Sequence, residues 1–294
     1  MDYKKEYQEK LITVEEAAGL VKDGDWVDIA WCALTPKAFD EALAKRVDEL
    51  HDVKVRGGVV PYQLAIGDAD NTGEHFIYHS WHSSGTERAL VNRRDHSAYF
   101  IPIKYSEIGR YINENADKSS LAVMQVSPMD KHGNFNFGLS ASHAWEIFNN
   151  ADKVILEVNE NVPVALGGYL NYINIKDVDY VYEANYDMLT LGKANFGEEE
   201  LKVAENVVSL LRDGDCLQIG IGGLPNAIGS EIAKSDLKDL GVHTEMYVDA
   251  FVEMAKAGRI TGMKKNRDIG RQTYAFAAGS QELYDYIDHN EELM

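Results

Sequence analysis

Cysteine is scarce in this sequence, and its scarcity limits what can hold the fold together. Only two cysteines, Cys32 and Cys216, occur among 294 residues, far apart and outside any C-x-x-C spacing. Neither a disulfide framework nor a cysteine-based metal site is therefore indicated. A chain of this length buries enough apolar surface without such crosslinks, and idle thiols are typical of a reducing compartment. We expect a cytoplasmic protein.

Long apolar runs and an excess of positive charge are also absent. The first six residues carry no apolar stretch of the signal-peptide type, and no segment approaches the roughly 18 apolar residues of a membrane span. Acidic residues outnumber basic ones by 48 to 29, which gives a formal net charge of −19. Such a field repels polyanions, so any anionic ligand needs a local site. We expect neither a membrane nor a nucleic-acid partner.

The sequence contains an internal repeat. Residues 15–25 match residues 205–215 at a constant offset of 190, and each copy ends in a basic residue followed by Asp-Gly-Asp. In both copies a short apolar segment follows, at 26–31 and 216–221, and then a loop with a proline, a helix and another short strand. This order is the unit of a mostly parallel sheet. It predicts an α/β protein with two pseudo-repeated, open, mostly parallel-sheet domains.

The element boundaries follow from the same patterns. The helices of the two copies are predicted at 37–50 and 226–237, and their second strands at 53–55 and 242–244. Between the copies we predict strands at 121–126 and 153–158 and a helix at 140–149. A glycine-bounded segment ahead of a Glu-rich helix start predicts two domains, 1–196 and 197–294. Because a duplication gives comparable halves, we expect the shorter second domain to be incomplete.

The two copies differ most in the loop after the first strand. The first copy has Trp31-Cys32-Ala33-Leu34, whereas the second has Gly220-Ile221-Gly222-Gly223-Leu224-Pro225-Asn226. Glycines at a strand-to-helix turn let the backbone approach a ligand and direct N–H groups toward negative charge, helped by the helix amino end. The loop predicts an anion or oxyanion site. The alternative is a tight turn that needs glycine only for packing.

Glu245 lies at the predicted carboxyl end of the next strand, where open α/β sheets bind their ligands. Apolar residues flank it, so we expect a partly desolvated carboxylate that is either paired or reactive. The alternative is a strand-end glutamate that faces water.

A glycine-rich turn with an acid about twenty residues later also describes dinucleotide-binding folds. Pro225 stands where the third glycine of that fingerprint belongs, and no Gly-Lys-Ser or Gly-Lys-Thr follows, which excludes a P-loop.

Four segments carry a family resemblance. They are Gln-Ile-Gly-Ile-Gly-Gly-Leu-Pro-Asn-Ala at 218–227, Leu-Gly-Val-His-Thr-Glu-Met at 240–246, Ser-Pro-Met-Asp-Lys-His-Gly-Asn-Phe-Asn-Phe-Gly at 127–138 and Glu-Val-Asn-Glu-Asn-Val-Pro at 157–163. They resemble the acetyl-CoA hydrolase/transferase family of class I coenzyme A transferases, particularly its butyryl-CoA:acetate and 4-hydroxybutyrate CoA-transferase members. The resemblance extends along nearly the whole chain.

The resemblance implies covalent catalysis by Glu245 through an acyl-glutamyl anhydride and a glutamyl-CoA thioester. It implies that residues of the glycine loop bind CoA: Gly220, Gly222, Gly223, Leu224, Pro225 and Asn226. It further implies that CoA thioesters are substrates, that no cofactor is permanently bound, and that the protein is a homo-oligomer, either a dimer or a tetramer. Members of the family continue past this point with another glycine-rich loop. An inactive binding or assembly half therefore stays open as one alternative. The other is an acyl-CoA hydrolase, which needs the same glutamate and differs only in whether water reaches the anhydride.

Weaker signals concern histidines and the first copy. His75, His79 and His82 are close in sequence, but no cysteine or carboxylate cluster accompanies them, and we expect no metal. His82 is a candidate substrate contact. Gln63 is another, because it follows the second strand of the first copy, in the region pseudo-equivalent to Glu245. The acyl group and the acceptor acid differ among candidates by a few atoms, and the sequence does not choose among them.

Overall fold

The computed structural model describes residues 2–93, 95–168, 170–192 and 194–294. The chain divides into two compact units. The first comprises residues up to 137, 141–162 and 172–189, and the second comprises 138–140, 163–171 and the residues from 190 onward. Within the described ranges, the helices are all too short or too polar to cross a membrane.

The first unit is built on a seven-stranded sheet in which every neighbouring pair is parallel. Among the described residues, the strands of this unit are β1 (Trp26–Trp31), β2 (Val53–Gly58), β3 (Phe76–Ser80), β4 (Ala98–Phe100), β5 (Ser119–Val126), β6 (Asn134–Asn136), β7 (Ala151–Val158), β8 (Tyr172–Asn174) and β9 (Tyr180–Glu183). The order of the strands in the sheet is β4-β3-β2-β1-β5-β7-β9, so the order reverses between β1 and β5. Strands β6 and β8 form a separate antiparallel pair.

Helices pack against this sheet through apolar side chains. Val27 and Ile29 of β1 share a buried cluster with Phe39 and Leu43 of the following helix, as expected of parallel strands covered by crossover helices. One polar pair is also buried, because Asp28 and Arg56 lie level on adjacent strands and form a two-pronged ion pair at 2.7–2.8 Å. The helices are α1 (Tyr3–Lys10), α2 (Val14–Gly19), α3 (Lys37–Ala44), α4 (Ala65–Ala69), α5 (Gly85–Asn92), α6 (Ile108–Glu114) and α7 (Ala144–Asn149).

The second unit alternates strands and helices around a smaller sheet. The elements in chain order are α8 (Glu198–Leu210), β10 (Cys216–Leu217), α9 (Gly223–Lys234), β11 (Gly241–Tyr247), α10 (Asp249–Lys256), β12 (Thr273–Ala277) and α11 (Gln281–Ile287). The strands of the sheet have the order β10-β11-β12, and both pairs are parallel. Both units are therefore α/β with mostly parallel sheets, which confirms the predicted fold class.

The Asp-Gly-Asp turns of the repeat, at 23–25 and 213–215, have the same hydrogen bonds in each unit. The N–H of the basic residue before the turn donates to the last aspartate at 2.8 Å in both copies. The first aspartate accepts the N–H of a residue just ahead of the second strand, His51 at 2.9 Å in one copy and Lys238 at 2.8 Å in the other. Each turn glycine has a φ in the left-handed region, +77° and +87°. The repeat is therefore structural as well as sequential.

Several predicted boundaries are wrong, for local reasons. The first strand of the second copy ends at Leu217 instead of residue 221, since glycine weakens strands and Gly222 adopts a φ of +135° to start α9. Helix α9 thus spans Gly223–Lys234 instead of 226–237. The helix expected at 140–149 begins only at Ala144, after Ser142 takes a φ of +38°. Helix α3 ends six residues early, because the following N–H groups bond three residues back.

Candidate active site

The glycine-rich loop of the second unit is the amino end of α9. Gly222 is the N-cap, and the first helical bond runs from the Asn226 N–H to the Gly222 carbonyl at 3.1 Å. The N–H groups of Gly223 and Leu224 therefore have no acceptor within the helix. Pro225 stands in the first turn, where its missing N–H costs nothing. Two backbone donors and the positive end of a helix of 12 residues lie together here.

The three glycines of this loop differ in whether the structure of the chain requires them. Gly222 needs its positive φ of +135°, and a Cβ on Gly223 would lie 2.5 Å from the Asn195 carbonyl oxygen. A side chain at 223 would therefore clash with the backbone of Asn195, so packing is sufficient to explain this glycine. The alternative of a tight turn that needs glycine only for packing thus holds at this position. A Cβ on Gly220 would meet nothing within 4 Å, and the φ of this residue is not in the left-handed region. Neither backbone nor packing within the chain requires a glycine at 220.

Glu245 lies on β11, the central strand of the three-stranded sheet, two residues before the strand ends. Its side chain is exposed, and the described residues place no hydrogen-bond or ion-pair partner on its carboxylate. The expectation of a partly desolvated carboxylate is therefore wrong for this chain. The reason is that the pleat places Val242 and Thr244 on the buried face of β11, whereas it places Glu245 on the opposite face together with the exposed His243.

Strand register relates Glu245 to the glycine loop. Cys216 pairs with Gly241 and Leu217 with Val242, an offset of 25 residues. Both strands run in the same direction from these pairs, and β10 ends at Leu217. The loop that follows β10, with Gly220, and Glu245 near the end of β11 therefore lie toward the same edge of one sheet, where α/β folds place their ligands.

A cavity of about 320 Å³ adjoins the same helix. Asn226 lines it and donates from its side-chain amide to the Ala194 carbonyl at 3.1 Å. Two further lining residues, Asp249 and Glu253, are carboxylates. Their negative charge disfavours a phosphate in this cavity and favours a neutral or cationic group. The remaining lining residues are Ala194, Asn195, Phe196, Ser230 and Ala250.

The two predicted substrate contacts of the first unit are exposed side chains with local neighbours. The Gln63 amide donates to Asp68 Oδ1 at 2.8 Å, and the His82 ring lies 6.3 Å from the Trp31 ring. The shared turn hydrogen bonds align Lys54 with Gly241, so Gly58 is the residue that takes the place of Glu245 in the first copy.

Among the described residues, no group of three or more histidines, cysteines or carboxylates gathers as metal ligands would.

A buried polar cluster in the first unit was not identified from the sequence. Glu157, near the carboxyl end of β7, accepts hydrogen bonds from the hydroxyls of Tyr182, at 2.6 Å, and Tyr186. It also accepts from the Gln125 amide and from the Phe39 N–H in the first turn of α3. Burial raises the pKa of this carboxyl, and the hydrogen bonds oppose that rise. The only signal in the sequence is an acid that directly follows the apolar residues 154–156, near the end of a predicted buried strand.

Comparison with known proteins places this geometry in a family. The model of the acetyl-CoA hydrolase/transferase N-terminal domain matches residues 1–191. A butyryl-CoA:acetate CoA-transferase of Anaerostipes caccae is 51% identical over 100% of this chain and 66% of its own length. A probable butyrate:acetyl-CoA coenzyme A-transferase of Syntrophomonas wolfei is 47% identical over 98% of this chain and 64% of its own length.

A solved structure agrees with these sequence matches. RipA from Yersinia pestis, which is 29% identical, superposes with a TM-score of 0.91 over 100% of this chain and 69% of its own. The chain thus spans about two thirds of the length of the relatives it matches. The matched domain, the fold and the ordered motifs agree, and the chain belongs to the acetyl-CoA hydrolase/transferase family.

Proposed function

We propose that this protein transfers coenzyme A between a short-chain acyl-CoA and a carboxylate such as acetate, with Glu245 as the nucleophile. The donor would be butyryl-, 4-hydroxybutyryl- or acetyl-CoA. One observation carries the proposal: an exposed carboxylate, to which the described residues supply no hydrogen-bond or ion-pair partner, stands on the central strand of a parallel sheet, near the edge toward which the glycine loop also leads. The names of the two relatives at 51% and 47% identity support this reaction class.

The proposed chemistry consists of successive acyl transfers. A Glu245 oxygen attacks the thioester carbonyl carbon, the C–S bond breaks, and the CoA thiolate leaves behind an acyl-glutamyl anhydride. The thiolate then attacks the glutamyl carbonyl, which releases the donor acid as its carboxylate and forms a glutamyl-CoA thioester. An acceptor carboxylate reverses these steps, so no net proton or electron is required. Covalent catalysis of this kind replaces one difficult exchange by several easier ones.

The loop residues would stabilise the charge that develops in each step. Each tetrahedral intermediate carries an oxyanion, and preorganised N–H donors are the groups that stabilise such charge. We assign this role to the N–H groups of Gly223 and Leu224, helped by the end of α9. Gly220 and Gly222 would let the CoA thioester approach the backbone, and Pro225 and Asn226 would fix the loop. Gln63 and His82 stay proposed substrate contacts.

The cellular setting is proposed on the same basis. Coenzyme A would enter and leave as a substrate, with no cofactor held between turnovers. We propose a cytoplasmic homo-oligomer, a dimer or a tetramer, whose ligands are acyl-CoA and short carboxylates. Sedimentation equilibrium of the purified chain measures the oligomeric state, and a monomer at micromolar concentration would contradict that part of the proposal.

The test is to trap the covalent intermediate. The protein receives butyryl-CoA without an acceptor, borohydride reduces any glutamyl-CoA thioester to an alcohol, and peptide mass spectrometry locates the change. We expect it on the peptide that contains Glu245, and we expect acetate added before the borohydride to diminish it. Glu245→Ala should abolish adduct and exchange, whereas Glu199→Gln, at an exposed position on α8, should retain both.

Two other results would contradict the proposal. Exchange in Glu245→Ala within tenfold of the unsubstituted protein would remove the nucleophile from Glu245. CoA release that proceeds equally with and without acetate, and yields no new thioester, would instead identify an acyl-CoA hydrolase that uses the same carboxylate. Ping-pong initial rates are expected, since the donor acid leaves before the acceptor acid enters.

A further inference from the structure

The recorded sheet neighbour of Glu245 is a small residue. On β12, Tyr274 pairs with Thr244 and Phe276 with Met246. Ala275 therefore lies level with Glu245, one strand away. On the other side of β11, β10 ends at Leu217, three residues before Gly220. The carboxylate thus stands beside a position that carries a single methyl group.

Burial does not explain the small side chain of Ala275. Ala275 is only partly buried, whereas the next two residues of β12, Phe276 and Ala277, are 1% and 0% exposed. Glu245 beside it is exposed, and a Cβ on Gly220, in the loop after β10, would contact nothing within 4 Å. The methyl group of Ala275 is therefore not enclosed by the core of the unit as its two successors are.

We propose that Ala275 is a specificity-determining residue, which sets the size of the acyl group that can reach Glu245. The inference rests on the proposed function. Neighbouring strands lie about 4.8 Å apart, and residues at the same level of a parallel pair project from the same face. A side chain at 275 therefore borders the space where the C–O bond to Glu245 forms and the C–S bond to CoA breaks. The alkyl part of the acyl group must fit into that space.

The methyl group of Ala275 leaves room for a short chain, and a branched side chain would remove that room. Acetyl and butyryl groups differ by two methylenes, and one methylene in a closely fitting pocket changes specificity by about 10- to 200-fold. Ala275→Val adds two methyl groups at the edge of the space. It should therefore discriminate against butyryl-CoA much more than against acetyl-CoA.

The experiment compares the rates at which the Glu245 adduct forms from acetyl-CoA and from butyryl-CoA. We expect Ala275→Val to lower the butyryl-to-acetyl rate ratio at least tenfold. Ala275→Gly should raise the ratio of hexanoyl to butyryl. Ala257→Val is the matched control, because it adds the same two methyl groups at an exposed position at the end of α10, and it should leave both ratios unchanged. Thermal unfolding checks that each variant is folded.

The outcomes separate this inference from the proposed function. If the unsubstituted protein forms no adduct with any acyl-CoA, the proposed function fails and the inference fails with it. If the adduct forms but Ala275→Val and Ala275→Gly leave the ratios within twofold, only the role of Ala275 is refuted. If Ala275→Val does not fold, Ala275→Ser and Ala275→Gly replace it in the test. The rate ratios should then fall as the side chain at 275 becomes larger, and ratios that do not follow side-chain size refute the role of Ala275.

Discussion

Asp40 offers a quantitative test of the energetics of the first unit. Its side chain on α3 is 3% exposed and accepts the N–H groups of Ala65 at 2.7 Å and Ile66 at 3.2 Å, in the first turn of α4. Burial raises the pKa of this carboxyl from 3.8 to about 7, and the two backbone hydrogen bonds oppose that rise. Asp40 should therefore titrate near neutral pH in the folded chain.

The sign of the effect on stability follows from proton linkage. Because the folded chain binds this proton more tightly than the unfolded chain, the contribution of Asp40 to stability is fully present below pH 3.8 and is lost as the pH rises through about 7. Each unit of pKa difference corresponds to about 1.4 kcal/mol. Between pH 5.5 and pH 8, the free energy of unfolding should fall by about 2 kcal/mol through this group alone.

Urea unfolding at several pH values measures this fall. Asp40→Asn keeps one side-chain acceptor but cannot ionise, so the difference in unfolding free energy between the unsubstituted protein and the variant should change by about 2 kcal/mol from pH 5.5 to pH 8. Asp48→Asn, at an exposed position, is the control and should show a constant difference. If Asp40→Asn also gives a difference constant within about 0.5 kcal/mol, Asp40 does not titrate in this range and the argument is refuted.

Two further predictions concern packing and buried charge, and thermal unfolding by circular dichroism measures both. Gly229→Val should destabilise the second unit by about 1–3 kcal/mol, because a Cβ at this position would lie 2.4 Å from the Ala250 Cβ. A melting temperature equal to that of the unsubstituted protein would instead show that α9 and α10 can move apart without cost. Arg56→Leu should cost about 3–5 kcal/mol, because it leaves Asp28 buried without its ion pair, and a second change, Asp28→Leu, should restore most of that loss.

The repeat made much of the fold predictable. Each copy consists of a turn with a fixed set of hydrogen bonds, an apolar strand and an amphipathic helix. Residues that are close in sequence determine these elements, so local signals were enough to predict both copies. The boundaries were less predictable, because they depend on single backbone conformations. The positive φ of Gly222 and of Ser142 decides where α9 and α7 begin, and no periodicity encodes those angles.

The candidate site was predictable in part for the same reason. Glu245 and the glycine loop follow from strand-end positions, which sequence order supplies. The exposure of Glu245 does not follow from sequence order, because it depends on which face of β11 is covered by other elements. The buried contacts of Glu157 also could not be foreseen, since they join residues 25 to 118 positions apart. The clash that requires a glycine at 223 depends likewise on a neighbour, the Asn195 carbonyl, that only the fold brings close.

The paired Asp-Gly-Asp turns have a consequence for how the two copies could diverge. Each turn fixes the entry to its first strand and, through its first aspartate, the entry to its second strand. The amino ends of the strands are thus held by the same hydrogen bonds in both copies, and the first paired residues of the two strands have the same alignment in each. The carboxyl ends are not held in this way. The pairing of β1 with β2 shifts by one residue between Asp28 and Trp31, and beyond that point one copy has Trp31 and Cys32 where the other has glycines.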